Sequence, residues 1–248
     1  MNDWVPAPNI GRHPDTYERE NEALARDGRL DDALRAVADW RAKRLLDIGC
    51  GTGFWLPRYA DAAEVVGIEP DPQLLERART RVATVGHVDA LPGSAEHPGL
   101  GDRRFDVVHA RFAYFFGAGA EAGLAAVRRL LAPGGVFVAV DNSWSGGDFA
   151  ELLRDATTGN ASHDPDAIAR WWAAQGAERV EVEAGWAARS PDELEEILRI
   201  EFPSDVVDRF VARHPGRSAL TYRMLLYVVR SPASAAAAST CDPPAGSR

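Results

Sequence analysis

The chemistry of this 248-residue chain is concentrated around Asp47 and Glu69. Asp47 interrupts an apolar run, Leu45-Leu46-Asp47-Ile48, where a buried carboxylate is costly unless a cation or donors meet it. Three glycines follow at alternate positions, Gly49, Gly51 and Gly53. Glycine permits a tight turn and a close approach of ligand to backbone. A helix opening at Phe54 would point its free N–H groups at that turn and favour an anionic ligand group. Glu69 closes a second apolar run, Glu64-Val65-Val66-Gly67-Ile68, 22 residues after Asp47. A carboxylate there can accept from both hydroxyls of a ribose, and the spacing suits a βαβ nucleotide clamp. A dinucleotide fingerprint needs G-x-G-x-x-G, whereas position 54 is Phe and the turn reads G-x-G-x-G. The expected ligand is therefore an adenosine compound other than NAD.

These residues need strand ends to hold them. The runs at 44–48, 64–68 and 105–110, together with Val136 to Val140, read as buried strands. Helical patterns at Pro72 to Val82 and Ala120 to Leu131 lie among them. Strands alternating with helices predict a doubly wound α/β sheet, which binds ligands outside the carboxyl ends of its strands. Asp47, Glu69, Asp89, Arg111 and Asp141 fall at or near those ends. Helices are also expected at Pro14 to Asp27, Leu30 to Trp40, Phe149 to Ala156, Ala167 to Ala173, Pro191 to Arg199 and Pro203 to Ala212. Glu178 to Val182 alternates like a half-buried strand, and Tyr222 to Val229 is apolar and β-favouring.

The run Asp47-Ile48-Gly49-Cys50-Gly51-Thr52-Gly53 closely resembles motif I of the class I S-adenosylmethionine (SAM)-dependent methyltransferases, of the type 11-like, small-molecule kind. Further resemblance lies in Phe105-Asp106-Val107-Val108 and in Leu131-Ala132-Pro133-Gly134-Gly135, so that it spans roughly residues 44–142. It implies a Rossmann-like seven-stranded sheet with an antiparallel last strand, helices on both faces, and SAM as cofactor. In that family the first acidic residue faces the methionine end of SAM and the glycine turn lies against the cofactor. An Asp and the following backbone N–H after the third strand read the adenine edge. Carried onto this chain, the cofactor residues are Asp47, Gly49, Cys50, Gly51, Glu69, Pro70, Asp89, Ala90 and Arg111. The implied organisation is a helical lid over 1–43 and a SAM-binding core over 44–230, with substrate-side helices near 145–177 and 191–213. Residues 231–248, poor in bulky apolar side chains, are expected to be a disordered tail.

Methyl transfer from a sulfonium needs alignment first and a base only for some nucleophiles. His13, Tyr17, His109 and Tyr114 are the candidate catalytic residues, with His13 and Tyr114 preferred; His109, on a strand buried on both faces, reads better as a core histidine. Asp141-Asn142 resembles the metal-binding pair of the cation-dependent catechol and caffeoyl-CoA O-methyltransferases. Ala110 and Arg111 stand where those enzymes have a further Asp, so no metal is expected. A net charge of −9 argues against a nucleic-acid partner. No apolar run approaches a membrane span and no leader is evident, so a cytoplasmic protein is expected. The expected activity is methylation of an O, N or C nucleophile on a small molecule, a secondary metabolite of natural product biosynthesis. The alternatives are a SAM enzyme with another outcome, such as methylation-coupled cyclisation, and an NAD-dependent oxidoreductase. The oligomeric state is not legible.

Overall fold

The apolar runs become the centre of one mixed sheet. The structure is a computed structural model and describes residues 4–157 and 164–233. Its strands are β1 (Arg44–Ile48), β2 (Glu64–Glu69), β3 (Val88–Pro92), β4 (Phe105–Arg111), β5 (Leu131–Asn142), β6 (Glu178–Ala187) and β7 (Ala219–Arg230). They lie in the order β3-β2-β1-β4-β5-β7-β6. Strands β1 to β5 pair in parallel, and β7 runs antiparallel to both β5 and β6. This is the seven-stranded arrangement expected. The chain winds outward from β1 through β2 to β3, then returns to place β4 on the other side of β1. The carboxyl ends of β1 and β4 therefore flank the switch point, where such sheets leave a crevice.

Alternation along β1 shows why its residues are apolar on both sides. Leu45 belongs to one core layer with Val65 and Val107; Leu46 and Ile48 belong to the other with Val66 and Val108. A central parallel strand covered on both faces has no wet side. The helices are α1 (Pro8–Arg12), α2 (Pro14–Ala25), α3 (Arg29–Val37), α4 (Pro72–Val82), α5 (Glu121–Leu130), α6 (Asp148–Thr157), α7 (Pro165–Ala174), α8 (Pro191–Glu201) and α9 (Ser204–Arg213). Leu75 and Ala78 of α4 and Phe149 of α6 cover the first layer; Leu124 of α5 and Trp172 of α7 cover the second. Helix α2 packs against β6 and α8. Among the described residues no helix is long and apolar enough to cross a membrane.

Two local expectations are corrected. The helix predicted from Phe54 is only a 3₁₀ turn, Leu56–Tyr59. Residues 54–63 must reach β2 quickly, and the backbone N–H of Ala62 and Ala63 already bond back to Tyr59 and Lys43. The Ala132–Gly135 segment is a bulge within β5 rather than a turn before it: Leu131 pairs with Phe105 and Val136 with Val107. Residues 231 and 232, placed in the expected tail, are tied to β5: Gly134 N–H bonds Pro232 O and Ser231 N–H bonds Gly135 O. Residues 234–248 of that tail lie outside the described residues.

Candidate functional site

The glycine turn is built by β2 as much as by β1. Gly49 and Cys50 both donate their N–H to Ile68 O, at 2.9 and 3.0 Å. Gly51 N–H then donates to Glu69 Oε2 at 2.9 Å, and Asp71 N–H to Glu69 Oε1 at 2.9 Å. Glu69 thus clamps the turn while its carboxylate keeps lone pairs for a ligand. Burial raises its pKa, and the N–H groups of Asp71 and Gly51 oppose the rise. Gly51 adopts φ +56°, and a Cβ there would lie 2.8 Å from Ile10 Cδ1. The Cys50 thiol is buried, which raises its pKa, and its Sγ occupies space that a side chain at Gly67 would take. It is a packing group, not a nucleophile.

Asp47 faces a buried polar cluster that sequence spacing did not suggest. Tyr59 Oη donates to Asp47 Oδ2 at 3.3 Å or shares a proton with His109 Nδ1 at 3.0 Å, and it accepts from Arg111 Nη2. Arg111 stacks over Trp55 at 4.2 Å and pairs with Asp31 at 3.7 Å. Burial pushes the Asp47 carboxyl up to about 6, against the pull of Arg111 and Tyr59. Burial and Arg111 hold His109 neutral. His109 is a core histidine, edge-on to Trp40.

At the end of β4, Phe112 and Tyr114 take positive φ (49° and 60°), a strained path for non-glycine residues that clusters at functional sites. They turn into a cavity of about 730 Å³ over the carboxyl ends of the strands. Asp47, Gly49, Cys50, Gly51, Glu69, Pro70, Arg111 and Tyr114 line it together. His13, Asp89 and Ala90 do not. His13 is exposed where α1 meets α2. Asp89 is exposed in mid-strand opposite Val66, because β3 continues to Pro92. The cavity wall in that direction is the following loop, Ser94 to Glu96. Spacing from β3 alone could not show that its carboxyl end lies so late.

The far half of the cavity is new except for Tyr17. Tyr17 and Glu20 of α2, Glu201 of α8, Phe149 of α6, Trp186 of β6 and Tyr222 of β7 line it. Tyr17 is a candidate from its place on a helix before the first strand; the motifs offer no signal for the others beyond the acidic and aromatic character of their helices and strands. The expected Asp141-Asn142 pair splits: Asp141 is buried with its pKa raised to about 6, accepting from Asn142 N–H, and Asn142 Oδ1 accepts from the Tyr222 hydroxyl. Among the described residues no group of three or more His, Cys, Asp or Glu is placed to hold a metal.

Residues 45–135, which carry β1 to the bulge of β5, match the family model described as a methyltransferase domain. This stretch is a methyltransferase domain of the class I SAM-dependent kind. An uncharacterized methyltransferase of Synechocystis sp. is 34% identical over 111 residues, 44% of this chain and 51% of that protein. A ubiquinone biosynthesis O-methyltransferase of Cereibacter sphaeroides is 36% identical over 111 residues, 44% of this chain and 45% of that protein. The chain therefore spans about half the length of the curated relatives it matches. The YcgJ protein of Bacillus subtilis shares the fold, with a TM-score of 0.57 at 18% identity over 83% of this chain and 99% of that one. The cofactor of this methyltransferase family is SAM, and the residues present fit it. Asp47 offers the cavity a carboxylate whose burial a cationic ligand would relieve, and Glu69 offers unused lone pairs beside a backbone turn open to a ligand.

Proposed function

We propose that this methyltransferase moves a methyl group from SAM to a nucleophilic atom of a small molecule bound in the same cavity. The observation that carries the reading is the continuity of the cavity: Asp47 and Glu69 line one part, and the aromatic side chains Phe112, Phe149, Trp186 and Tyr222 line another. Its volume of about 730 Å³ lies high in the range of roughly 300–1,000 Å³ for small-molecule sites. The ubiquinone-related name of one relative supports a small, ring-bearing acceptor.

In this reading Asp47 holds the methionine ammonium and Glu69 the ribose hydroxyls, with Gly49, Cys50, Gly51 and Pro70 against the cofactor. Ser94 and Glu96 supply polar groups near the adenine, in place of Asp89 and Ala90. Arg111 acts behind Asp47 by keeping it ionised. SAM supplies a methyl already activated on a sulfonium. The chain's task is to align the acceptor and exclude water, and alignment alone can contribute about 7–11 kcal/mol. Helices α1 and α2 place Ile10 and Tyr17 on the cavity and act as its lid. Of the two preferred catalytic candidates, Tyr114 reaches the cavity and is retained as a wall beside the acceptor; His13 is not.

Calorimetric titration of the full chain with S-adenosylhomocysteine and with NADH tests the reading. Binding of S-adenosylhomocysteine alone, near one per chain, is expected. Binding of NADH alone would overturn it.

A further inference from the structure

The far half of the cavity holds two acids with no cation. Glu20 is 9% exposed, its Oε2 has no hydrogen-bond partner, and its carboxyl lines the cavity. Glu201 lines the same cavity from α8, close enough to raise the Glu20 carboxyl by charge repulsion. Asn9 Nδ2 donates to Glu201 Oε1 at 2.6 Å. Neighbouring arginines are engaged elsewhere, Arg19 with Glu196 and Arg189 with Glu22. Among the described residues neither Glu20 nor Glu201 has an arginine or lysine in ion-pair range. Burying a charge pair of one sign is costly, and a bound proton is the ordinary relief. Burial first, and then Glu201, raises the Glu20 carboxyl far above the usual range, while burial raises Glu201 less, so of the two Glu20 keeps the proton and Glu201 is the anion.

The walls beside this pair are aromatic. Phe149 lies 4.0 Å from Tyr222 between ring centroids and 5.1 Å from Trp186. Aromatic faces next to buried carboxylates attract an organic cation, through both charge pairing and the ring quadrupole. A neutral hydroxyl acceptor would leave both features unused.

Resting on the methyl-transfer reading above, we propose that the acceptor is a small aryl-alkyl amine, whose ammonium docks on the Glu20–Glu201 pair between Phe149, Trp186 and Tyr222. The ammonium gives one N–H proton to the Glu201 carboxylate, which becomes the acid. The freed nitrogen lone pair forms the new N–C bond with the methyl carbon as the C–S bond of the methyl donor breaks. That bond's electron pair stays on sulfur. The product leaves as an N-methylammonium, and Glu201 returns its proton to water.

The test is calorimetric titration of the full chain with benzylamine, phenethylamine and tryptamine against benzyl alcohol, phenethyl alcohol and tryptophol. Each titration is run with and without saturating S-adenosylhomocysteine. The amines should bind at least about tenfold tighter than their alcohols, the worth of a charge-assisted hydrogen bond. Glu201→Gln should remove most of that advantage, whereas Glu20→Gln, which stands in for the protonated acid, should keep most of it; both should leave S-adenosylhomocysteine affinity within about twofold and thermal unfolding intact. Equal binding of the alcohols, absence of amine binding in a chain that binds S-adenosylhomocysteine, or unchanged amine binding in Glu201→Gln would overturn the proposal. Amine binding in a chain that ignores S-adenosylhomocysteine would support the docking pair and sink the methyl-transfer reading instead.

Discussion

Replacing Asp47 with Asn separates what this carboxylate costs the fold from what it gives the ligand. Its pKa stands at about 6 in the folded chain against an ordinary 3.8. The folded state therefore holds the Asp47 proton more tightly than the unfolded chain does. Its contribution favours folding below about pH 4 and is lost as the pH rises through about 6. The difference corresponds to roughly 3 kcal/mol of opposition to folding at pH 8. Asn keeps an oxygen for the Tyr59 hydroxyl and carries no charge. Without ligand, Asp47→Asn should therefore be more stable than the parent at pH 8, by up to roughly 3 kcal/mol in urea unfolding. Ligand binding should move the other way. Removing one partner of a buried ion pair costs about 3 kcal/mol or more, so the affinity for S-adenosylhomocysteine should fall about 100-fold or more. A bound ammonium also draws Asp47 into its ionised form. At pH 6 the parent should release about half a proton per ligand more than Asp47→Asn does. Calorimetry in buffers of different ionisation enthalpy reads that release. A variant that binds as well as the parent, with no difference in proton release, would refute the assignment of Asp47 to the ligand.

Asp141→Asn is the matched control: its carboxyl is raised to about 6 by burial and it does not line the cavity, so apo stability at pH 8 should rise while S-adenosylhomocysteine affinity stays unchanged. Tyr59→Phe removes one hydroxyl shared by Asp47, His109 and Arg111. It should cost about 2–4 kcal/mol, seen as a fall of roughly 5–12 °C in thermal unfolding, and should weaken ligand binding at pH 6 because Asp47 loses a donor that favours its ionised form. His13→Ala, at an exposed site off the cavity, should leave ligand affinity within about twofold; a larger loss would return His13 to the site.

The half of the site proposed for the cofactor was legible as a cluster because its signals are local. An Asp in an apolar strand, glycines at alternate positions and a Glu one βα unit later are consecutive features, and the strand register places them together. Gly51 N–H on Glu69 is the bond that joins them. What escaped the sequence depends on distant packing. Tyr59 is the last residue of a helix expected in full and found as one 3₁₀ turn, so its hydroxyl reaches Asp47 by a path no periodicity describes. Asp89 was misplaced along β3 because a strand's last residue is set by its neighbour's pairing, here Pro92 beside Glu69. Glu20 and Glu201 lie 181 positions apart on α2 and α8, and only the folding of α2 against α8 reveals that they meet. His13 looked chemical by residue type alone, and exposure removes that ground.

A crystal structure of the full chain with S-adenosylhomocysteine tests the cofactor assignment most directly. Both ribose hydroxyls should lie about 2.7–3.0 Å from the Glu69 carboxylate, with the amino group directed at Asp47. Adenosine bound away from Glu69, or an amino group pointing out of the cavity, would contradict it.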